Sequence, residues 1–244
     1  MPGDAELELL IEAKAFTSPA GLRHVILHDI GLTVPPGQIV ALLGRSGGGK
    51  STLLRIAVGL DTAFEGHVRR PLGRLGVVFQ EPRLLPWLTV ADNLRLVVPG
   101  ITVSRINDLL ELVGVAGSGR HLPSEVSLGM ARRVALARAL AVDPNMLVLD
   151  EPFASLDRQL GTSLAAKVAD LARRAGSIMV VATHELDHAL AIADRICVLA
   201  GRPARLEADI VIPDRNDATA IGYLRINLLD RFAFLGSKRA VHPP

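Results

Sequence analysis

Gly44, Arg45, Ser46, Gly47, Gly48, Gly49, Lys50 and Ser51 follow the spacing G-x-x-x-x-G-K-[ST], and Thr52 continues from them,. These residue types suit a phosphate. Glycines let the backbone approach closely, amide N–H groups at a helix start favour negative charge, Lys50 reaches the outer phosphates and Ser51 offers a hydroxyl to Mg²⁺. The flanks fit: Ile39–Leu43 is an apolar, β-branched run, and the residues from Thr52 to Gly59 have helical composition,. Lys14, Lys50, Lys167 and Lys238 are the chain's only lysines, and one of them occupies the position where phosphate chemistry needs it. Gly44 to Thr52 are therefore expected to bind a nucleotide.

The run Asn145-Met146-Leu147-Val148-Leu149-Asp150-Glu151 is an apolar strand ending in two acids. Such a strand delivers carboxylates to the mouth of a sheet, where the phosphates should lie. Asp150 is expected to hold Mg²⁺ through water, and Glu151 to orient or deprotonate the water that attacks the γ-phosphate. Taken alone, acids before Pro152 read equally as an ordinary turn; the upstream phosphate loop favours the catalytic reading.

Strand-like runs recur at Gln38–Leu43, Leu75–Phe79, Met146–Leu149, Ile178–Ala182 and Ile196–Leu199, with helical composition at Lys50–Gly59, Arg158–Ala175 and Glu185–Arg195,. Strands alternating with helices predict an α/β fold around a mostly parallel sheet. Between Gln80 and Asn145 the strand signal fades, and Thr89–Val98, Ser104–Val113 and Gly129–Val142 read as helices, so a helical lobe is inserted into the core,. Beyond Pro213, Ile221, Leu224, Leu228, Leu229 and Phe232 recur at helical spacing, as in an amphipathic helix packed on the body or on a partner,.

The 244 residues suit one large domain, and 49% apolar residues with 3% aromatics predict an aliphatic core,. A net charge of +2, dispersed along the chain, excludes a polycationic nucleic-acid arm,. Cys197 stands alone in an apolar run, which excludes an internal disulfide and reads as a buried bystander rather than a nucleophile,. No stretch reaches the roughly 18 consecutive apolar residues of a spanning helix, and Asp4, Glu6 and Glu8 lie where a secretory signal would carry positive charge,. A cytosolic chain is expected. The mean hydropathy of +0.34 fits either extra core or an apolar surface covered by a partner,.

Together these motifs resemble the ATP-binding cassette (ABC) ATPases over nearly the whole chain. The resemblance implies a P-loop NTPase core at about residues 1–88 and 143–212, an N-terminal antiparallel β subdomain, an inserted helical subdomain at 89–142 and a helical tail at 213–244. It gives further residues their roles. Gln80, after Phe79, looks like the glutamine that contacts Mg²⁺ and the attacking water. Phe153-Ala154-Ser155-Leu156-Asp157 looks like the D-loop, and His184, in Ala182-Thr183-His184-Glu185, like the switch histidine that meets the γ-phosphate. Phe16 stands where the family stacks an aromatic on adenine, although it reads equally as a core residue of an edge strand,.

Val126-Ser127-Leu128-Gly129-Met130 takes the place of the family signature Leu-Ser-Gly-Gly-Gln, in which two chains sandwich two ATPs head to tail. Ser127 and Gly129 keep the hydroxyl and N–H donors. Leu128 replaces a glycine; its branched side chain would crowd the backbone near the phosphate if that position needs φ > 0 and be tolerated otherwise, and turnover weakened but not abolished relative to Leu128→Gly is expected.

The stretch Leu84-Leu85-Pro86-Trp87 resembles the nitrate, sulfonate and taurine importers, with Trp87 either a core residue or part of the groove facing a permease,. What this implies is an ATP-hydrolysing subunit on the inner face of the cell membrane, dimerising with ATP and Mg²⁺. It would energise a separate permease served by an external solute-binding protein, with no room for a long C-terminal regulatory domain. The alternatives are a soluble non-transport cassette and a regulatory cassette with impaired hydrolysis. The coiled-coil insertion or basic face expected of the first is not visible, and retention of Glu151 and His184 argues against the second. A GTPase is disfavoured by the lack of an Asn-Lys-x-Asp motif.

Overall fold

Strands that are apolar on both sides need cover on both faces, and the topology provides it. The structure, a computed structural model, describes residues 6–154, 156–215 and 217–236. Its strands are β1 (Leu7–Thr17), β2 (Arg23–Val34), β3 (Ile39–Gly44), β4 (Glu65–Arg69), β5 (Leu75–Val78), β6 (Met146–Asp150), β7 (Ile178–Thr183), β8 (Arg195–Gly201) and β9 (Ala204–Val211). They form one sheet in the order β4-β1-β2-β9-β8-β3-β7-β6-β5. From β8 to β5 all neighbours are parallel, while β1 pairs antiparallel with β2 and β4, and β8 with β9. β3, β6 and β7 are buried at every residue.

The helices are α1 (Lys50–Ala57), α2 (Val90–Arg95), α3 (Val103–Leu112), α4 (Leu128–Ala141), α5 (Arg158–Arg174), α6 (Leu186–Ile192) and α7 (Ala218–Arg231). On one side of the sheet, Leu53 and Ile56 of α1 share a core with Leu9 of β1, Leu27 of β2 and Leu42 of β3. On the other, Leu43, Leu149 and Val181 meet α5, α6 and the lobe helices α2 to α4, which are inserted between β5 and β6. Among the described residues no helix is long and apolar enough to cross a membrane.

In the tail, α7 turns Leu228 into the core with Phe232 and Leu235, while Tyr223 and Ile226 stay exposed. It therefore packs on the body; residue 216 and residues 237–244 lie outside the described part, as do residues 1–5 of the acidic start. Cys197 is buried in β8, and burial, aided by Asp209 and opposed by Arg195, pushes its thiol up to about 12, in keeping with an inert bystander,.

Asp194 ties the frame behind the site. It accepts the Ile39 N–H at 2.8 Å as β3 begins, Arg173 at 3.1 Å from the end of α5 and Arg215 at 2.5 Å from the segment leading to α7. Burial pushes its carboxyl up, but the hydrogen bonds from Arg215, the Ile39 amide and Arg173 outweigh this and hold it below the usual carboxylate range,. A depressed carboxyl contributes stability above its unfolded pKa of about 3.9 and loses it as pH falls through the folded value. Asp194→Asn is thus expected to lower the unfolding free energy at pH 7 by about 1 kcal/mol, a figure reduced for solvent screening. In urea melts the gap between variant and wild type should narrow between pH 5 and about pH 3; a gap independent of pH would assign the loss to packing.

Candidate functional site

The sheet order sets three functional strand ends side by side: β3 leads into the glycine loop, β7 into His184, and β6 ends on Asp150. In the loop, Gly49 caps α1 at φ +88°, and a Cβ there would fall 2.5 Å from Cδ2 of the fully buried Leu27. At Gly48 a Cβ would meet the Arg45 carbonyl at 2.9 Å. Larger residues would fill the cradle or break its turn. With neither a side-chain cap nor an acid in its first turn, α1 leaves its leading amides to an anion,. Lys50 is only 7% exposed, and its Nζ donates to the carbonyls of Gly44 at 2.7 Å and Arg45 at 3.1 Å.

Next to this cradle is a cavity of about 230 Å³ lined by Phe16, Ile26 and Gly47 to Thr52. Phe16 is half-exposed on its wall, which removes the core reading. Ile26 was not among the expected site residues. It is the extra residue where the β1–β2 register slips, Lys14 opposing Leu27 and Ala15 opposing Val25, and alternation of residue types gives no sign of such a bulge,.

Asp150 is buried beside Ser51. Burial raises its carboxyl above the usual range and the Glu151 charge adds to this, while the Ser51 hydrogen bond, Lys50 and Arg55 oppose it,. A desolvated carboxylate next to a hydroxyl is a hard-oxygen pair that suits Mg²⁺, an ion that takes few protein ligands and completes its shell with water and phosphate oxygens.

Glu151 has φ +51°, uncommon for a residue with a long side chain, and its N–H donates to the Ala182 carbonyl at 2.9 Å,. Its carboxylate is nearly buried, with both oxygens 2.9 Å from His184 Nδ1 and one 4.0 Å from Lys50 Nζ. Glu151, His184 and Lys50 thus meet in one cluster. Gln80 is exposed beyond β5; it and Glu151 each lie two residues past the Val78–Leu149 pair, on neighbouring strands.

Ser127 and Gly129 take no part in the cavity wall of their own chain. Ser127 caps α4, accepting the Met130 N–H at 3.2 Å, and stays exposed. Leu128 opens that helix and is not among the residues with positive φ, so the backbone ground for weakened turnover is absent; its side chain is 59% exposed. Asp157 caps α5, and Ser155 of the same loop lies outside the described residues.

Trp87 is 71% exposed, which excludes the core reading for it too. Its loop is held by Asn93, a fully buried residue that sequence reasoning passed over. The Asn93 Oδ1 accepts the Leu85 N–H, and Nδ2 donates to the carbonyls of Leu85, Leu88 and Thr89, at 2.8–3.2 Å. A polar residue amid apolar helix positions was the available signal.

A family model described as ABC transporter matches residues 27–154. The aliphatic sulfonates import ATP-binding protein SsuB 2 of Burkholderia lata is 44% identical over 223 residues, covering 86% of this chain and 81% of the relative. Its counterpart in Pseudomonas syringae pv. tomato is 41% identical, covering 84% and 87%. Among solved structures, the dimeric bacterial ABC transporter cassette MJ0796 superposes with a TM-score of 0.77 at 27% identity, covering 85% of this chain and 99% of that one. A dimeric post-hydrolysis state of that cassette, bound to ADP and Pi, gives 0.75 at 26%, with the same coverage.

Proposed function

The chain belongs to the ABC transporter family, and from that premise we propose that it is the ATP-hydrolysing subunit of an importer for aliphatic sulfonates or similar small organic anions. The observation that carries the catalytic part is the cluster of Glu151, His184 and Lys50 at the mouth of the glycine loop. Gly44 to Thr52 bind the triphosphate, the amides at the start of α1 facing its charge, and Phe16 carries the adenine on the cavity wall. Ser51 and Asp150, the latter through water, would hold Mg²⁺ together with Gln80, and the ion would neutralise phosphate charge in the transition state.

Glu151 takes the proton of the attacking water, and His184 holds the Glu151 carboxylate until the γ-phosphate competes for the imidazole. Ser127, exposed, and Gly129, neither of them on the wall of their own chain's cavity, close on the nucleotide of a second copy, so the working unit is an ATP-dependent homodimer. The dimeric cassettes among the structural neighbours support this arrangement.

Cargo enters through a separate membrane permease, which is fed by a periplasmic or extracellular solute-binding protein. The ATPase sits on the inner face of the membrane, and Trp87, on its braced loop, contacts the permease. The SsuB relatives support the sulfonate assignment. Reconstituted with its permease in proteoliposomes, the chain is expected to release phosphate from Mg-ATP severalfold faster when a sulfonate-loaded binding protein is added. Trp87→Ala should lose that stimulation and keep the unstimulated rate. Stimulation by no organic sulfonate would overturn the cargo assignment, and absence of phosphate release the enzymatic one.

A further inference from the structure

Lys14 stands on β1 two residues before Phe16, so the two side chains share one face of the strand,. It is 2% exposed, and its ammonium lies 4.6 Å from the centroid of the Phe16 ring. Two further groups pin it: Nζ donates to Asp61 Oδ1 at 2.7 Å and to the Ala63 carbonyl at 2.8 Å. Asp61 is itself fixed, its N–H donating to the Arg55 carbonyl of α1 and its Oδ1 accepting the Ala63 N–H at 3.1 Å. Lys14 is not among the residues that line the cavity beside Phe16, whose ring is half-exposed there while the ammonium is buried. Packing alone does not call for this arrangement. A methionine would fill the same space without burying a charge that needs Asp61.

We propose that Lys14 is a positioning residue for the nucleotide base, bracing and polarising the Phe16 ring from behind; this rests on the reading that Phe16 carries the adenine. The cation fixes the ring plane and draws π-density toward itself, leaving the open face poorer in electrons and a better partner for an electron-rich purine. Through Asp61 the same ammonium joins this base platform to the far end of α1, the helix whose first residue is Lys50. The spacing between base platform and phosphate cradle is thereby set by a buried ion pair rather than by the hairpin alone.

The test compares Mg-ATP with magnesium tripolyphosphate, a ligand with phosphates and no base, by titration calorimetry. Lys14→Met is combined with Asp61→Asn so that no carboxylate is left buried and unpaired. The double variant is expected to bind Mg-ATP about three- to tenfold more weakly and tripolyphosphate within about twofold of wild type. Lys14→Arg should restore ATP binding, since a guanidinium also sits over an aromatic face. In a Phe16→Ala background the double substitution should add no further loss. The proposal is overturned by equal losses for both ligands, by a loss that persists without the ring, or by no loss at all. Phe16→Ala separates the two layers: weaker ATP binding there with none in the Lys14 variant sinks the inference alone, and unchanged ATP binding there sinks the platform reading with it.

Discussion

Glu151→Gln is expected to slow phosphate release by at least about a hundredfold while leaving ATP affinity within about threefold of wild type, because general-base help is typically worth 10²–10⁴. Glutamine keeps the length of the side chain and an oxygen that can accept from His184, so the cluster keeps its shape. What it lacks is the basic carboxylate. The negative charge 4.0 Å from Lys50 also disappears, which removes a competitor of the phosphates for that ammonium,. Binding measured by calorimetry should therefore hold or tighten, and sedimentation should show a dimer that accumulates with ATP because the opening step is blocked. Unchanged phosphate release would take Glu151 out of the reaction; lost ATP binding would show that the carboxylate belongs to the cradle.

The parts of this site that sequence reasoning reached share a physical cause. Buried parallel strands read as unbroken apolar runs, and the phosphate loop and the acidic pair are contiguous segments at their ends. The five strands read from apolar runs reappear as β3, β5, β6, β7 and β8 within a residue or two at most boundaries. β1, β2, β4 and β9 escaped that reading. β1 alternates buried with more open positions and β9 does the same, the pattern of antiparallel strands with one solvated face, and β4 is almost wholly exposed,. Only the family resemblance suggested an antiparallel subdomain there. Long-range side-chain meetings were equally out of reach. Nothing local to Glu151 announces that His184 will hold it, and nothing near Lys14 announces Asp61 or the ring of Phe16. At Leu128 the sequence posed a question about φ that backbone geometry answers: the residue opens a helix.

Lys50→Met should separate binding from chemistry in the opposite sense, lowering Mg-ATP affinity by about a hundredfold. Hydrogen bonds to a charged group contribute about 1.5–3 kcal/mol each, and the ammonium would face at least one triphosphate oxygen. The Lys50 Nζ donates to the Gly44 and Arg45 carbonyls, so the substitution also frees two acceptors that would repel an arriving phosphate. Methionine conserves volume at a site only 7% exposed, but the freed carbonyls lower the baseline stability, so each variant is compared with its own value in the absence of ATP,. The readout is then the ATP-induced rise in unfolding free energy. At a ligand concentration about a hundred times the wild-type Kd that rise is about 2.7 kcal/mol, and a hundredfold weaker variant gains only about 0.4 kcal/mol. Both the Lys50 and the Glu151 variants would be slow in a phosphate-release assay, but only the Glu151 variant should keep the full ATP-induced rise and the ATP-dependent dimer. If Lys50→Met kept the full rise as well, the triphosphate would have to sit elsewhere than on the loop between β3 and α1.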